Sequence, residues 1–150
     1  MAPPPARPAE ERKRDTLARL ENDRDLWIAS ASADGEAMLV PLSFSWDGER
    51  LTLATPAATK TARNLERAGV ARVALGPTRD VVIIDGGVEV ATGGSRPARE
   101  DAYAADMGWD PRGEEREHVF IYITPQRIQA WREVNEIPGR HVMRDGRWSV

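Results

Sequence analysis

Short stretches of branched and apolar residues alternate along the chain with pairs of Asp and Gly. Four Asp-Gly pairs occur, at positions 34–35, 47–48, 85–86 and 145–146. Asp-Gly is a strong signal for a tight turn between antiparallel strands, because both residues tolerate the positive φ angles that such turns require. The pattern therefore predicts a protein built mainly of β-hairpins.

The turns and the apolar stretches between them divide the chain into predicted strands. The first three Asp-Gly pairs each close a hairpin, the third of them between Arg79–Ile84 and Val88–Thr92. A Pro-Gln pair at 125–126 separates two later strands. In chain order, the predicted strands are Leu26–Ser32, Ala37–Trp46, Arg50–Thr55, Val70–Leu75, Arg79–Ile84, Val88–Thr92, Val119–Thr124, Arg127–Glu133 and a short one around Arg147–Val150.

Three other segments have the spacing or the flanking residues of helices. They are Pro8–Asp23, Thr59–Ala68 and Pro97–Met107. Gly69 and Gly108 follow the last two segments and are the expected stops, and Ser95 lies near the expected start of the third. Six to eight antiparallel strands in one small domain need a sandwich or a closed barrel to protect their edges. A helix inserted between hairpins favours a mainly β barrel with helices packed outside it.

The length of 150 residues fits one domain, predicted over residues 8–150, with a flexible proline- and alanine-rich arm at 1–7. No apolar run approaches the about 20 residues that cross a bilayer, and no basic-then-apolar leader is present, so we expect a cytoplasmic protein. The net charge of −3 gives no global attraction to nucleic acid. Cysteine is absent, and His118 and His141 are far apart, so we predict no metal site.

The segment from Thr55 to Leu65 carries the clearest candidate chemistry. A strand ends there, a short loop follows, and a helix begins with Lys60 and Arg63 and no acid in its first turn. Helix N-termini ordinarily favour acids, because unpaired N–H groups and the helix dipole make this end positive. Cations at this end are understandable if an anion, most simply a phosphate, binds to the N–H groups, the threonine hydroxyls and the two cations.

A purely structural interpretation of the same segment is also open. In that interpretation Thr59 is an N-cap, Arg63 pairs with Glu66 or a neighbouring loop, and Lys60 is solvated. The lysine is not part of a Walker loop, which requires glycines before it, and the Gly-Gly pairs at 86–87 and 93–94 lack the spacing of a dinucleotide fingerprint.

Tryptophan is frequent, and most of its positions favour packing. Trp27, Trp46 and Trp131 fall in predicted strands, where core or interface packing is the expected role. Trp109 lies in the turn-rich loop 108–113, which either closes over a pocket or covers the end of the barrel.

Several of these segments together resemble a known family. The order of the first helix, the strand at Trp27, the Val40–Gly48 stretch, the Leu51–Thr55 strand and the Thr59–Leu65 motif is similar to that of the pyridoxamine 5'-phosphate oxidase-like split-barrel flavoproteins. The chain is most similar to the small actinobacterial flavin- or deazaflavin-dependent oxidoreductases, and the resemblance spans roughly residues 26–131. The Tyr122–Trp131 stretch is similar to the closing strand pair of the family.

The resemblance implies a homodimer of split β-barrels, with FMN or the deazaflavin coenzyme F420 in a groove at the subunit interface. In this arrangement Lys60 and Arg63 hold the cofactor phosphate with Thr59 and Asn64. The residues implied to line the flavin or deazaflavin ring are Pro41, Leu42, Ser43 and Thr55. The ring carries the hydride chemistry in such proteins, so no catalytic side chain is assigned.

The implied function is an oxidoreductase that transfers a hydride between the cofactor and a small conjugated substrate. Two alternatives remain, a cofactor carrier of the same fold without turnover and a structural dimer that binds no cofactor. The chain ends at Trp148-Ser149-Val150 without the Arg-Leu-Pro type of tail and the substrate-binding residues of pyridoxamine phosphate oxidase proper. We therefore do not expect oxidation of vitamin B6 compounds.

Overall fold

The computed structural model of the protein describes residues 1–150 and is organised around one antiparallel sheet of nine strands. The strands are β1 (Asp25–Ala31), β2 (Ala37–Ser43), β3 (Ser45–Trp46), β4 (Leu51–Pro56), β5 (Val70–Leu75), β6 (Val81–Thr92), β7 (His118–Trp131), β8 (His141–Arg144) and β9 (Arg147–Trp148). The helices are α1 (Ala9–Asn22), α2 (Lys60–Ala68) and α3 (Pro97–Met107), with short 3₁₀ helices at Pro111–Gly113 and Val134–Gly139.

The sheet curls into a half-barrel with the helices at its periphery. Its strands follow the order β2-β1-β5-β6-β7-β4-β3, while β8 pairs with β7 and β9 pairs with β8. This confirms the predicted mainly β, antiparallel barrel class. The nine strands exceed the expected six to eight. β3 is separate from the long predicted strand 37–46, and β8 is not among the predicted strands, whereas four predicted strands merge into β6 and β7.

The main core lies on the concave face of the sheet, where apolar side chains of successive strands meet. Ile28, Ile84 and Ile123 are fully buried there. Each fully buried side chain of this kind stabilises the fold by about 1.5–3 kcal/mol relative to its exposed state. Leu65 of α2 and Leu20 of α1 complete this core from outside the sheet, which explains why these helices pack where they do.

The third predicted hairpin does not exist. Asp85 and Gly86 lie inside the continuous strand β6, and the expected break at Pro125-Gln126 lies inside β7. The two sites face each other, since Asp85 pairs with Arg127 and Gly86 with Pro125, so Gln126 is the extra residue of a β-bulge. Proline is accommodated at a bulge because it has no N–H to offer to the ladder. Both predicted interruptions are therefore one irregularity in a long strand pair.

The other predicted elements are found with small differences. The predicted strand 37–46 is divided at Phe44, whose N–H donates to the Arg24 carbonyl oxygen at 2.9 Å. At the start of α3, Ser95 is not the N-cap. The buried carboxylate of Glu100 instead accepts the N–H groups of Gly94 and Arg96 at 2.6 and 2.7 Å. None of the α-helices is long and apolar enough to cross a membrane.

The N-terminal arm makes a specific contact at its last residue. Arg7 is buried, and its guanidinium donates to Glu136 at 2.8 and 2.9 Å and to Asp15 at 3.0 Å. The arm that the sequence predicts as flexible is therefore anchored at Arg7. The division into an arm at 1–7 and a domain at 8–150 stays a prediction.

The convex face of β1, β2 and β5 carries apolar side chains that nothing in the chain covers. Trp27 is 48% exposed, and Leu39 and Val70 are each 62% exposed. We call these three residues, with Pro41, the outer apolar face. Exposed apolar patches of this kind are typical of surfaces that contact another molecule.

Candidate functional site

The N-terminus of α2 is formed as the sequence predicts. The Thr59 hydroxyl accepts the Ala62 N–H at 3.2 Å and donates to the Pro56 carbonyl oxygen at 2.9 Å. The first turn contains no acid, and α2 ends at Gly69, which adopts a left-handed φ of 68°. No acid in the first turn of α2 therefore offsets the positive charge of the helix dipole and the free N–H groups at this end.

Lys60 and Arg63 extend from this end of α2 into solvent. The side chain of Lys60 is 61% exposed, and its one partner is the exposed carboxylate of Glu36 at 3.3 Å. An exposed pair of this kind contributes about 0–1 kcal/mol, so an anionic ligand can replace Glu36 at little cost. Arg63 donates one N–H to the Ala58 carbonyl oxygen at 2.9 Å and has no acidic partner. Arg63 does not pair with Glu66 but contacts the neighbouring loop at Ala58, which is the other option of the structural interpretation.

Thr59 and Asn64 are more firmly engaged in the fold than the two cations. The Thr59 hydroxyl makes the two capping bonds, and Asn64 is buried, with Nδ2 donating to the Ser30 hydroxyl at 3.2 Å. The Asn64 side chain thus ties α2 to β1. Of the four residues implied for phosphate, the cations are the ones that are available for an external group.

The four residues implied for the ring come together in one cavity. Pro41, Leu42, Ser43 and Thr55 all line a cavity of about 480 Å³ at one end of the sheet. The Ser43 hydroxyl donates to Asp25 at 2.6 Å, and Thr55 is buried. A cavity of this size with a mixed lining is in the range of small-molecule and cofactor sites.

Sequence reasoning missed part of this cavity. Tyr103, Met107, Trp109 and His118 also line it, together with Arg24. His118 faces Pro56 across the β4–β7 pair, and its Nδ1 lies 2.8 Å from the Arg116 carbonyl oxygen, which leaves Nε2 free when Nδ1 carries the proton. No local pattern identifies Tyr103, Met107 or His118, because their elements reach the cavity only through the tertiary fold. Trp109 is the exception, since the sequence predicts that its loop either closes over a pocket or covers the barrel end.

The electrostatics of the cavity favour neutral donors. Burial raises the pKa of Tyr103 to about 12, so its hydroxyl keeps its proton at neutral pH. Trp109 packs edge-on against His118 with ring centroids 5.5 Å apart. The loop that contains Trp109 therefore contributes to the wall of the cavity and does not merely cover the barrel end.

The cavity and the cationic helix end adjoin at the end of β4. Thr55 and Pro56 line the cavity, and the Pro56 carbonyl oxygen accepts the Thr59 hydroxyl of the helix cap at 2.9 Å. Lys60 extends from the same helix end toward Glu36, which precedes β2. A ligand with a ring in the cavity and an anionic group at the helix end can therefore contact both parts.

A larger concavity of about 650 Å³ lies on the convex side of the sheet, but none of the implied site residues line it. Two of its arginines, Arg72 and Arg127, are already paired with Asp85 at 2.6 and 3.1 Å. The third, Arg67, donates to the Ala31 carbonyl oxygen at 2.6 Å and has no acidic partner. We locate the candidate site at the smaller cavity and the α2 N-terminus, because the implied residues line or adjoin these two features.

Comparison with known structures shows the same fold. General stress protein 26 from Bacillus anthracis is 18% identical, with a TM-score of 0.64, and the alignment covers 79% of this chain and 92% of that one. A protein described as an F420 reductase is 18% identical, with a TM-score of 0.60 and coverages of 74% and 93%. A pyridoxamine 5'-phosphate oxidase-related, FMN-binding protein from Nostoc punctiforme is 17% identical, with a TM-score of 0.56 and coverages of 81% and 78%.

At these identities the structural likeness establishes the fold alone, and no curated protein matches the chain. The family model for pyridoxamine 5'-phosphate oxidase matches residues 14–144, which include the cavity, the α2 N-terminus and nearly all of the sheet. The chain belongs to the pyridoxamine 5'-phosphate oxidase-like, FMN-binding split-barrel family.

Proposed function

We propose that the protein binds FMN or the deazaflavin coenzyme F420 and transfers a hydride between this cofactor and a small conjugated substrate. The observation that carries the proposal is a cavity of about 480 Å³ that adjoins a cationic helix end at Pro56, an arrangement that suits a ring with a phosphate-bearing side chain. The family match supports a flavin, and the F420 reductase among the structural relatives keeps the deazaflavin open.

In this proposal Lys60 and Arg63 hold the phosphate of the cofactor, with Thr59 and Asn64 fixing the geometry of the helix end. Pro41, Leu42, Ser43 and Thr55 line the ring. The bound ring supplies the hydride chemistry, while the chain supplies orientation and a partly dry surrounding. Tyr103 contributes a neutral hydroxyl to the wall of the cavity. No side chain of the cavity is proposed as a nucleophile.

We further propose a homodimer in the cytoplasm, with the cofactor at the subunit interface. Proteins of this fold commonly form dimers. The outer apolar face, with Trp27 48% and Leu39 62% exposed, provides a surface whose burial would stabilise association. Pro41 belongs both to this face and to the cavity lining, so the proposed interface and the proposed ring site adjoin.

The cofactor site is tested with the double variant Lys60→Ala, Arg63→Ala. Charge-assisted bonds to a phosphate contribute about 1.5–3 kcal/mol each, so the variant should bind the cofactor about 3 kcal/mol or more weakly, which is over 100-fold. Titration of FMN and, separately, of F420, followed by cofactor fluorescence, measures the affinity and identifies the cofactor. The variant Arg144→Ala, Arg147→Ala removes the same charge from exposed positions outside the site and should bind as the unmodified chain does. Equal affinity in the two double variants would reject the site.

Turnover distinguishes the oxidoreductase from a carrier. Reduced cofactor bound to the enzyme should be reoxidised in a manner that depends on the added conjugated substrate, whereas a carrier retains it unchanged. Failure to retain either cofactor in stoichiometric amounts would support the purely structural dimer. The three outcomes separate the three functions that the sequence leaves open.

A further inference from the structure

A cleft lies on the side of the sheet that α3 covers, and a second group of cations lies around Tyr122 in its wall. The cleft has a volume of about 350 Å³ and lies next to Gly69, at the C-terminal end of α2. Arg50, Glu89 and Tyr122 line it. The α2 N-terminus, where the cofactor phosphate is proposed, is about 13 Å away along the helix, at 1.5 Å per residue over nine residues.

Two buried donors, one in the wall of this cleft and one on a residue that contacts its wall, have no acceptor within the chain. Tyr122 is only 2% exposed, and its hydroxyl makes no hydrogen bond. Nε of Arg96 is also buried without a partner. Buried polar groups are nearly always hydrogen-bonded, because an unpaired one loses its interactions with water without replacement. Both donors are therefore open to an acceptor that the chain itself does not supply.

The charged side chains around Tyr122 carry more positive than negative charge. The guanidinium groups of Arg96 and Arg99 lie over the Tyr122 ring, 5.7 and 5.3 Å from its centroid. Arg96 is paired with Glu89, while the side chains of Arg99 and Arg50 have neither an ion pair nor a hydrogen bond within the chain. Together these four charged side chains carry a net charge of +2.

The nearest other acid does not balance this charge. Glu100 is fully buried, but its carboxylate already accepts two backbone N–H groups and lies 3.6 Å from Arg112. Burial raises the pKa of Tyr122, and Glu100 adds to the rise, so the hydroxyl stays protonated at neutral pH and acts as a donor. Guanidinium groups and a phenol donor suit a phosphate, whose oxygens only accept.

We propose that this cleft binds a phosphate dianion, either free orthophosphate or the phosphoryl end of a small metabolite, through Arg50, Arg96, Arg99 and the Tyr122 hydroxyl. A dianion neutralises the net charge of +2, whereas a single carboxylate neutralises only half of it. The site is independent of the proposed cofactor phosphate, since the two lie at opposite ends of α2.

Tyrosine labelled with ¹³C at Cζ provides a direct test, because the chain contains only two tyrosines. Orthophosphate should shift the Tyr122 signal saturably and leave that of Tyr103, which lines the other cavity, in place. The Tyr122→Phe variant assigns the signals. Glycerol phosphate that shifts the same signal at lower concentration identifies a metabolite as the ligand, and orthophosphate that binds more tightly identifies the free ion.

Variants separate this site from the cofactor site. Arg99→Gln should weaken orthophosphate binding by at least tenfold, and Tyr122→Phe, measured by calorimetry, by about tenfold, which corresponds to one charge-assisted hydrogen bond. Lys60→Ala, Arg63→Ala should leave orthophosphate binding at Tyr122 unchanged even though it abolishes cofactor binding. In buffer without phosphate, Tyr122→Phe should unfold at the same temperature as the unmodified chain or higher, because it removes an unpaired buried hydroxyl.

Three results would overturn the proposal. They are the absence of a saturable Tyr122 shift, the same shift with acetate at equal ionic strength, and orthophosphate binding that survives Arg99→Gln but is lost in Lys60→Ala, Arg63→Ala. The first two results do not bear on whether the α2 N-terminus binds the cofactor, and the third would place the phosphate at that terminus. Failure of this proposal therefore leaves the cofactor proposal standing.

Discussion

Gly86 lies at the bulge between β6 and β7, where no larger residue fits. A Cβ atom there would overlap the Thr124 carbonyl oxygen and lie 2.9 Å from Ile123 Cγ2. The adjacent Gly87 has no heavy atom within 4 Å of the corresponding position. The two neighbouring glycines therefore differ in purpose. One permits close approach of two strands, and the other is not constrained by contacts.

Replacement of Gly86 by Ala should lower the free energy of unfolding by about 1–3 kcal/mol, the usual cost of overpacking against backbone that cannot move away. Gly87→Ala is the matched control and should change it by less than about 0.5 kcal/mol. Urea unfolding measures both. Equal stability of the two variants would show that the bulge relaxes to accept a methyl group.

Glu136 is the second residue whose role is specific. It is 3% exposed, and hydrogen bonds from Arg7 lower its pKa to about 2, against the opposing effect of burial. The unfolded chain takes up this proton near pH 4.5, the ordinary value. The folded state is therefore stabilised fully above about pH 4.5, and this stabilisation is lost as the pH falls to about 2.

The pair should contribute about 3 kcal/mol at neutral pH through this difference in proton affinity. Between pH 4.5 and 2, the free energy of unfolding of the unmodified chain should fall by about 3 kcal/mol more than that of Glu136→Gln. Glu133→Gln removes an acid from a largely exposed pair with Arg79 and should follow the unmodified chain. Chemical unfolding at a series of pH values tests this, and parallel curves for all three proteins would contradict it.

At the scale of elements, α2 is the helix on which the proposed site depends, and its ends are defined by single residues. Thr59 caps the N-terminus through its hydroxyl, and Gly69 ends the helix with a left-handed conformation. Because the first turn has cations in place of acids, the cap is the main local stabilisation of this end. Loss of the cap should therefore lower the free energy of unfolding and change the position of Lys60.

Thr59→Ala should lower the free energy of unfolding by about 1 kcal/mol and weaken cofactor binding, since the first turn is then free to fray. Thr59→Ser keeps the hydroxyl and should retain most of both properties. Thermal unfolding and the fluorescence titration are measured on the same preparations. Equal stability and equal cofactor affinity of Thr59→Ser and Thr59→Ala would show that the methyl group of Thr59, and not its capping hydrogen bond, stabilises this helix end.

At the scale of the whole molecule, the exposed apolar surface is unevenly distributed. The curled sheet buries its concave face under α1 and α2, while the outer apolar face remains uncovered by any element of the chain. The convex face also carries the Arg72–Asp85–Arg127 cluster, so a partner would meet both apolar and charged groups there. This combination is typical of an interface with an apolar centre and a polar rim.

The double variant Trp27→Ser, Leu39→Asp should convert the proposed homodimer into a monomer, because it removes apolar area and places a charge in the interface. Light scattering after size exclusion should give twice the chain mass of 16.6 kDa for the unmodified protein and the single mass for the variant. Val134→Asp changes an exposed apolar residue in the second 3₁₀ helix and should leave the mass doubled. A variant that stays dimeric would move the interface elsewhere.

The sequence by itself was sufficient for the local elements. The Thr59 cap, the Gly69 stop, the β5 bounds and the Asp-Gly turns at 34–35, 47–48 and 145–146 depend on nearest neighbours, so the pattern of residues determines them. The motif at Lys60 and Arg63 was also visible, because a cationic first turn departs from the usual preference of a helix N-terminus.

Tertiary structure decided what local pattern could not. Asp85-Gly86 has the composition of a turn, yet pairing of β6 with strands on both sides keeps it extended, since the ladder of a 12-residue strand outweighs a local preference. Three other features likewise depend on residues that are distant in the chain. They are the cavity wall at Tyr103 and His118, the buried Arg7–Glu136 pair and the environment that leaves the Tyr122 hydroxyl without a partner. Only the curl of the sheet brings such residues together, because their contacts depend on register and packing across the whole domain.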